Sequence, residues 1–239
     1  MTVAGSSRPF APTDFAAGFG AFRPPSRIQT SVLAGSEQKL LDWLCRRLPH
    51  WVTPDKLTAT GVFGAALAAV GYAASNWNPI FLFLASLGLV INWFGDSLDG
   101  SLARHRDAER HRYGFFVDHS MDAVSIVVIS VGLGLSPYVG MGAALFTLVG
   151  YLLLGLFVVL SNHVTGRFRL SFIGFGPTEL RLMIIVFNST LFVMGPVSVH
   201  FMGQVFSLHS ASVGLIGVVL LSLFLVNVYR TATELARHD

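Results

Sequence analysis

Residues 80–122 read IFLFLASLGLVINWFGDSLDGSLARHRDAERHRYGFFVDHSMD, and the fold follows from how this stretch is read. Residues 80–95 form an apolar run of the kind that crosses a bilayer as a helix. The run then continues straight into Asp96 and Asp99, and a polar connection leads to Asp118 and Asp122 at the head of the next apolar run. Spacing i, i+3 puts Asp96 and Asp99 on one helix face, and spacing i, i+4 does the same for Asp118 and Asp122. Two helices joined by so short a loop are expected to be antiparallel neighbours. The four carboxylates then converge at the level of the membrane interface.

The rest of the chain supports a membrane setting. Of 239 residues, 53% are hydrophobic and 12% charged, against about 25% charged in a soluble domain. Mean hydropathy is +0.63. These values exclude an ordinary soluble enzyme. The net charge of +3 reports topology in such a chain and not nucleic-acid binding. Cys45 stands alone, so no intrachain disulfide forms, and nothing nearby suggests a nucleophile.

Six spans are expected: 57–74, 80–95 with its extension, 113–135, 141–162, 177–194 and 211–229. Residues 1–36, rich in Gly, Ser and Pro, read as a disordered cytoplasmic tail without a cleavable signal. Residues 37–52 (EQKLLDWLCRRLPHWV) read as an amphipathic interfacial helix, and residues 53–239 as the six-span domain. The fold class is therefore all-α, a helical membrane bundle. All Lys and Arg lie before Leu57, in 104–112, in 167–181 or after Val228, whereas 75–79, 136–140 and 197–210 carry no charge. The positive-inside rule then places both termini and the acidic cluster in the cytoplasm. For a bacterial chain the membrane would be the inner one.

Ionisable groups at a span end usually mark function. Four clustered carboxylates repel unless a cation balances them. Hard oxygen donors suit Mg²⁺, Mn²⁺ or Ca²⁺, and the sequence has no Cys cluster or His pair suited to zinc. Gly100, Ala103 and Gly114 flank the aspartates and would let a ligand or a facing helix come close. Arg104 reads either as a phosphate ligand or as a topology anchor. Arg106, Arg110 and Arg112 read as topology charges.

Asp96, Asp99, Gly100, Ala103, Arg104, Gly114, Asp118 and Asp122 resemble the signature D-x2-D-G-x2-A-R-x8-G-x3-D-x3-D of the CDP-alcohol phosphotransferases. Nine residues, not eight, separate Arg104 from Gly114, in a polar connection where insertion is cheap. The resemblance implies that an acceptor hydroxyl attacks a CDP-alcohol and CMP leaves, with one of the two substrates a lipid and the setting phospholipid biosynthesis. It implies Asp96, Asp99 and Asp118 as metal ligands and Asp122 as general base, with Asp122 also near a second metal. Mg²⁺ or Mn²⁺, as two ions, would be the cofactor, and Gly100, Ala103, Arg104 and Gly114 would line the CDP pocket. A homodimer is implied as well. TPDKLT (53–58) is similar to a family element bordering the nucleotide, with Asp55 in place of Asn and Thr58 matching. GPTELR (176–181) and DHSMD (118–122) resemble elements of the choline and ethanolamine phosphotransferases, which brings in Arg181, His119 as an alternative base, and Glu179 as a further base, a ligand for a cationic head group or simply a favourable charge at a helix N-terminus.

Two rivals remain at this level. A cation transporter or channel would use the carboxylates for conduction, but it should hold them near mid-membrane. A metal-bound structural membrane protein would have no activity to lose. The direction of transfer also stays open: DHSMD and GPTELR favour a lipid acceptor, and the basic RFRLSF (167–172) favours a phosphorylated one.

Overall fold

The computed structural model describes residues 33–165, 177–201 and 204–237. In chain order these form α1 (Ala34–Cys45), α2 (Pro54–Ala74), α3 (Phe81–His105), α4 (His111–Gly134), α5 (Met141–Thr165), α6 (Pro177–Met194), β1 (Ser198–Phe201), β2 (Gln204–Ser207) and α7 (Leu208–Leu235). The architecture is all-helical apart from the β1–β2 hairpin, which pairs Ser198 with Ser207 and Phe201 with Gln204. That hairpin stands where the sequence reads as a plain loop. The tail expected over 1–36 falls, up to residue 32, outside the described residues, and Ala34, Gly35 and Ser36 belong to α1.

Among the described residues, five helices are long and apolar enough to cross a membrane: α2, α3, α4, α5 and α7. The chain is an integral membrane protein. The sixth expected span, α6, is not among them; it carries Glu179 and Arg181 in its first turns and Asn188, Ser189 and Thr190 further along. The helix expected over 37–52 also differs, since it begins at Ala34 and stops at Cys45. Pro49 explains the early stop, because a proline cannot continue the helix and its ring restricts the residue before it.

The bundle is organised around α2. Thr53 caps this helix by accepting from Lys56 N at 3.4 Å, and Pro54 enters its first turn, where a missing N–H costs nothing. A Cβ on Gly64 would come 2.3 Å from Asn92 N, and one on Gly88 would come 2.3 Å from Ala68 N. Backbone thus touches backbone along α2 and α3, which only small residues allow. On its other side α2 meets α4, where a Cβ on Gly132 would lie 2.4 Å from Ala69 Cα. The expectation that α3 and α4 are direct neighbours is therefore corrected. They make little contact with each other, because α2 has a small-residue face toward each and lies between them. Gly88→Ala should cost about 1–3 kcal/mol through overpacking. Thermal unfolding in detergent checks this, with Gly35→Ala as a control, since nothing lies within 4 Å of a Cβ there.

The remaining helices dock through polar contacts that must be satisfied away from water. Tyr72 Oη donates to Asn188 Oδ1 at 2.9 Å, and Asn188 Nδ2 donates to Ser86 Oγ at 3.1 Å, tying α6 to α2 and α3. Thr147 Oγ1 donates to Val213 O at 2.7 Å between α5 and α7. A core of Ala65, Ala68, Tyr72, Leu82, Ala85 and Leu89, joined by Ile129 and Leu191, fills the centre.

At the charged end, Leu41, Cys45, Val52 and Leu57 pack on Leu98 and Leu102, seating α1 against α3. Burial pushes the Cys45 thiol up, with Asp42 adding to the shift, so it is an inert packing residue. Arg106, expected to be a plain topology charge, is a clamp. It donates to Val52 O at 2.5 Å, Leu48 O at 3.1 Å and Pro49 O at 3.0 Å, pinning the segment between α1 and α2 to the end of α3. The α3 helix then ends in a Schellman motif. Ala108 N donates to Ala103 O at 2.9 Å and Asp107 N to Arg104 O at 3.2 Å, with Asp107 left-handed at φ 50°. This reversal returns the chain toward Asp118 and Asp122.

Candidate active site

The site lies where the charged ends of α2, α3 and α4 meet. A cleft there is lined by Thr58, Asp96, Asp99, Asp118, Asp122 and Ser125. Asp96, Asp118 and Asp122 each offer a carboxylate oxygen, and these atoms lie within 4.8 Å of one another. Asp96 and Asp118 are half-buried and Asp122 is exposed. Three hard oxygen donors this close fit a divalent cation. Asp99 shares the cleft but is buried and otherwise engaged: Thr58 Oγ1 donates to its Oδ2 at 2.6 Å, and Gly100 N donates to its Oδ1 at 2.5 Å.

The signature glycines differ from the packing glycines. A Cβ on Gly114 would meet nothing within 4 Å, and one on Gly100 would meet only Arg104 Nη1, at 3.4 Å. Close helix contact does not explain either of them, unlike Gly64 and Gly88. Ala103 is half-buried and Arg104 is exposed, its Nη2 donating to Ser101 Oγ at 3.1 Å.

The other residues singled out in the sequence are placed as follows. Asp55 pairs with Arg110 in an exposed salt bridge, and Arg110 also stacks over Tyr113. This ties the α3–α4 connection to the start of α2. His119 Nδ1 lies 3.0 Å from Phe115 O and 3.5 Å from Asp118 Oδ2, with its ring against Phe115. Glu179 is buried, and its Oε1 accepts from Leu33 N at 3.0 Å. Beside it, Thr178 Oγ1 donates to Glu37 Oε1 at 2.6 Å, and Trp93 Nε1 donates to both, at 3.2 and 3.1 Å. The first turn of α6 is thus locked to α1 and α3. Arg181 reaches the acidic group itself, its Nη2 donating to Asp96 Oδ2 at 2.7 Å and its Nε to Asn92 Oδ1 at 3.1 Å. RFRLSF lies outside the described residues.

Several contributors escaped the sequence reading. Asn92 is one turn before Asp96 on the same face, and an amide inside an apolar run was the available signal. Tyr151 of α5 comes within electrostatic range of Asp122, Arg181 and Asp96. Glu37 and Trp93 carried no local signal, because their partners lie far away in the chain.

The CDP-alcohol phosphatidyltransferase family model matches residues 51–223, and the chain belongs to that family. It is 28% identical over 181 residues to cholinephosphotransferase 1 of Danio rerio, covering 72% of this chain and 43% of that protein. It is 26% identical over 170 residues to cholinephosphotransferase 1 of Homo sapiens, covering 67% and 41%. Archaetidylinositol phosphate synthase of Pyrococcus horikoshii is 31% identical over 99 residues, covering 41% and 50%. The chain thus spans less than half the length of these two cholinephosphotransferases.

Proposed function

We propose that this chain transfers a phospho-alcohol group from a CDP-alcohol to an acceptor hydroxyl and releases CMP. The observation that carries this reading is the convergence of Asp96, Asp118 and Asp122 within 4.8 Å, in a chain of this family. The donor set suits Mg²⁺ or Mn²⁺, as two ions, with Asp99 as a further ligand held in orientation by Thr58 and Gly100. Such ions supply charge neutralisation at the attacking and leaving oxygens of the phosphoryl group.

The chain's own residues do the rest. Gly100 and Gly114 leave room for the nucleotide, and Arg104 offers a multi-donor fork to its phosphates. Asp122, exposed on the cleft, takes the proton of the acceptor hydroxyl as that oxygen bonds to the phosphorus bearing the alcohol. The phosphorus–oxygen bond to CMP breaks. Glu179 is the poorer base, being buried with its Oε1 accepting from Leu33 N; His119, whose Nδ1 lies against Phe115 O, is the alternative. A small CDP-alcohol with a lipid acceptor is the favoured pairing, given DHSMD, GPTELR and the likeness to the cholinephosphotransferases. A cation transporter draws no support from the family.

Purified protein should release CMP from a CDP-alcohol, lose this activity in excess EDTA, and regain it with Mg²⁺ or Mn²⁺. Activity unaffected by EDTA would sink the metal assignment, and mass spectrometry of the lipid product would identify both substrates.

The same reading makes α6 a sixth span, since 18 residues rise about 27 Å, close to the hydrocarbon thickness. Helix α1, with Leu40 and Trp43 exposed, lies in the interface plane, and both termini and the site face the cytoplasm. In intact cells, a thiol reagent that cannot cross the membrane should label Ser207→Cys and miss Ala108→Cys. The reverse pattern would overturn this orientation.

A further inference from the structure

We infer that Arg181 is a positioning residue for Asp96, gripping it jointly with Asn92 so that the carboxylate presents its other oxygen to a bound cation. This rests on the metal-dependent reading above. The Asn92 and Asp96 side chains lie one turn apart on α3, and Arg181 comes to them from α6. Its Nε and Nη2 donate to Asn92 Oδ1 and Asp96 Oδ2, so one edge of the guanidinium spans both acceptors. Asn92 is buried, and its Nδ2 donates to Gly61 O at 3.0 Å. The backbone of α2 therefore holds the Asn92 amide, the amide holds the guanidinium, and the guanidinium holds Asp96.

Helix docking alone does not account for this arrangement. Helix α6 is already tied to its neighbours through Asn188 and through Thr178 and Glu179. Arg181 Nη1 is enclosed and has no partner among the described residues, a costly feature where only adhesion is needed. A rigid fork is the feature that lysine lacks. The Nη2 donor on Asp96 Oδ2, itself fixed by the Nε bond to Asn92, holds the carboxylate's rotation, as hydrogen bonds behind metal ligands do. The charge of Arg181 acts in the opposite sense, by repelling a cation. The inference is that orientation outweighs repulsion.

The test is Mn²⁺ affinity, read from the electron paramagnetic resonance signal of free Mn²⁺ with purified full-length protein in detergent. Thermal midpoints of the metal-free proteins are measured alongside. Arg181→Lys keeps the charge and loses the fork, and Asn92→Ala keeps Arg181 and loses its anchor. Arg181→Lys should raise the Mn²⁺ Kd by roughly 10–100-fold, with a smaller rise in the same direction for Asn92→Ala. Unchanged or tighter binding in Arg181→Lys would overturn the inference, whether or not its thermal midpoint falls. If Arg181→Lys does not fold, Asn92→Ala decides by the same criterion. Wild-type protein that binds no Mn²⁺ would overturn the metal reading itself, a result distinct from wild type and variants binding equally well.

Discussion

Asp118→Asn is expected to abolish CMP release and to weaken Mn²⁺ binding by more than about 100-fold, beyond the 10–100-fold that outer partners of a metal ligand are worth. The substitution keeps the side chain's size and replaces one of three carboxylates that converge within 4.8 Å by a neutral amide, a much weaker ligand for a hard cation. Asp96 cannot compensate, because its Oδ2 is held by Arg181. Asp99, oriented by Thr58 and Gly100, stands outside the convergent group of three and is not expected to replace the lost ligand. Equilibrium Mn²⁺ binding and single-turnover CMP release on the same preparation check both halves. Near-normal turnover would remove Asp118 from the ligand set.

Asp122→Asn should lower kcat by about 10²–10⁴-fold, the usual contribution of a positioned base. Binding of the CDP-alcohol should suffer far less than in Asp118→Asn. The side chain stands one turn deeper than Asp118 on the same face of α4, and it is the exposed member of the group. An acceptor hydroxyl can therefore reach it, and an amide in its place cannot take the proton. Donor binding measured separately from turnover discriminates the roles. A matched loss of both would make Asp122 a metal ligand and pass the base to His119 or Glu179, which His119→Ala and Glu179→Gln at saturating donor would separate.

Much of the site was legible because its information is local. The spacings within Asp96–Asp99 and Asp118–Asp122 are helical, so a periodicity argument places each pair on a face without any tertiary knowledge. The same holds for the apolar runs, whose lengths answer to the bilayer and not to neighbouring helices. Arg181 and Glu179 were noticed as members of a short element, but their partners Asp96 and Leu33 are 85 and 146 residues away. No periodicity reports such a pairing. The clamp made by Arg106 was hidden for the same reason, since the carbonyls it meets lie 54, 58 and 57 residues away.

The glycines mark the boundary between the two kinds of knowledge. The sequence singled out Gly100 and Gly114 as small residues near the aspartates, but it did not say whether they serve packing, as Gly64 and Gly88 do, or leave room. That difference lies in what stands opposite each one: a backbone nitrogen for Gly64 and Gly88, open space for Gly114. The sequence by itself determined the membrane setting, the helical class and the identity of the four carboxylates, because hydropathy and helical period are properties of consecutive residues. Tertiary structure alone decided that α2 separates α3 from α4, that Asp96, Asp118 and Asp122 form the convergent group, and that Arg181 grips Asp96. Each of these depends on distances between segments far apart in the chain, and those distances exist only once the helices have packed.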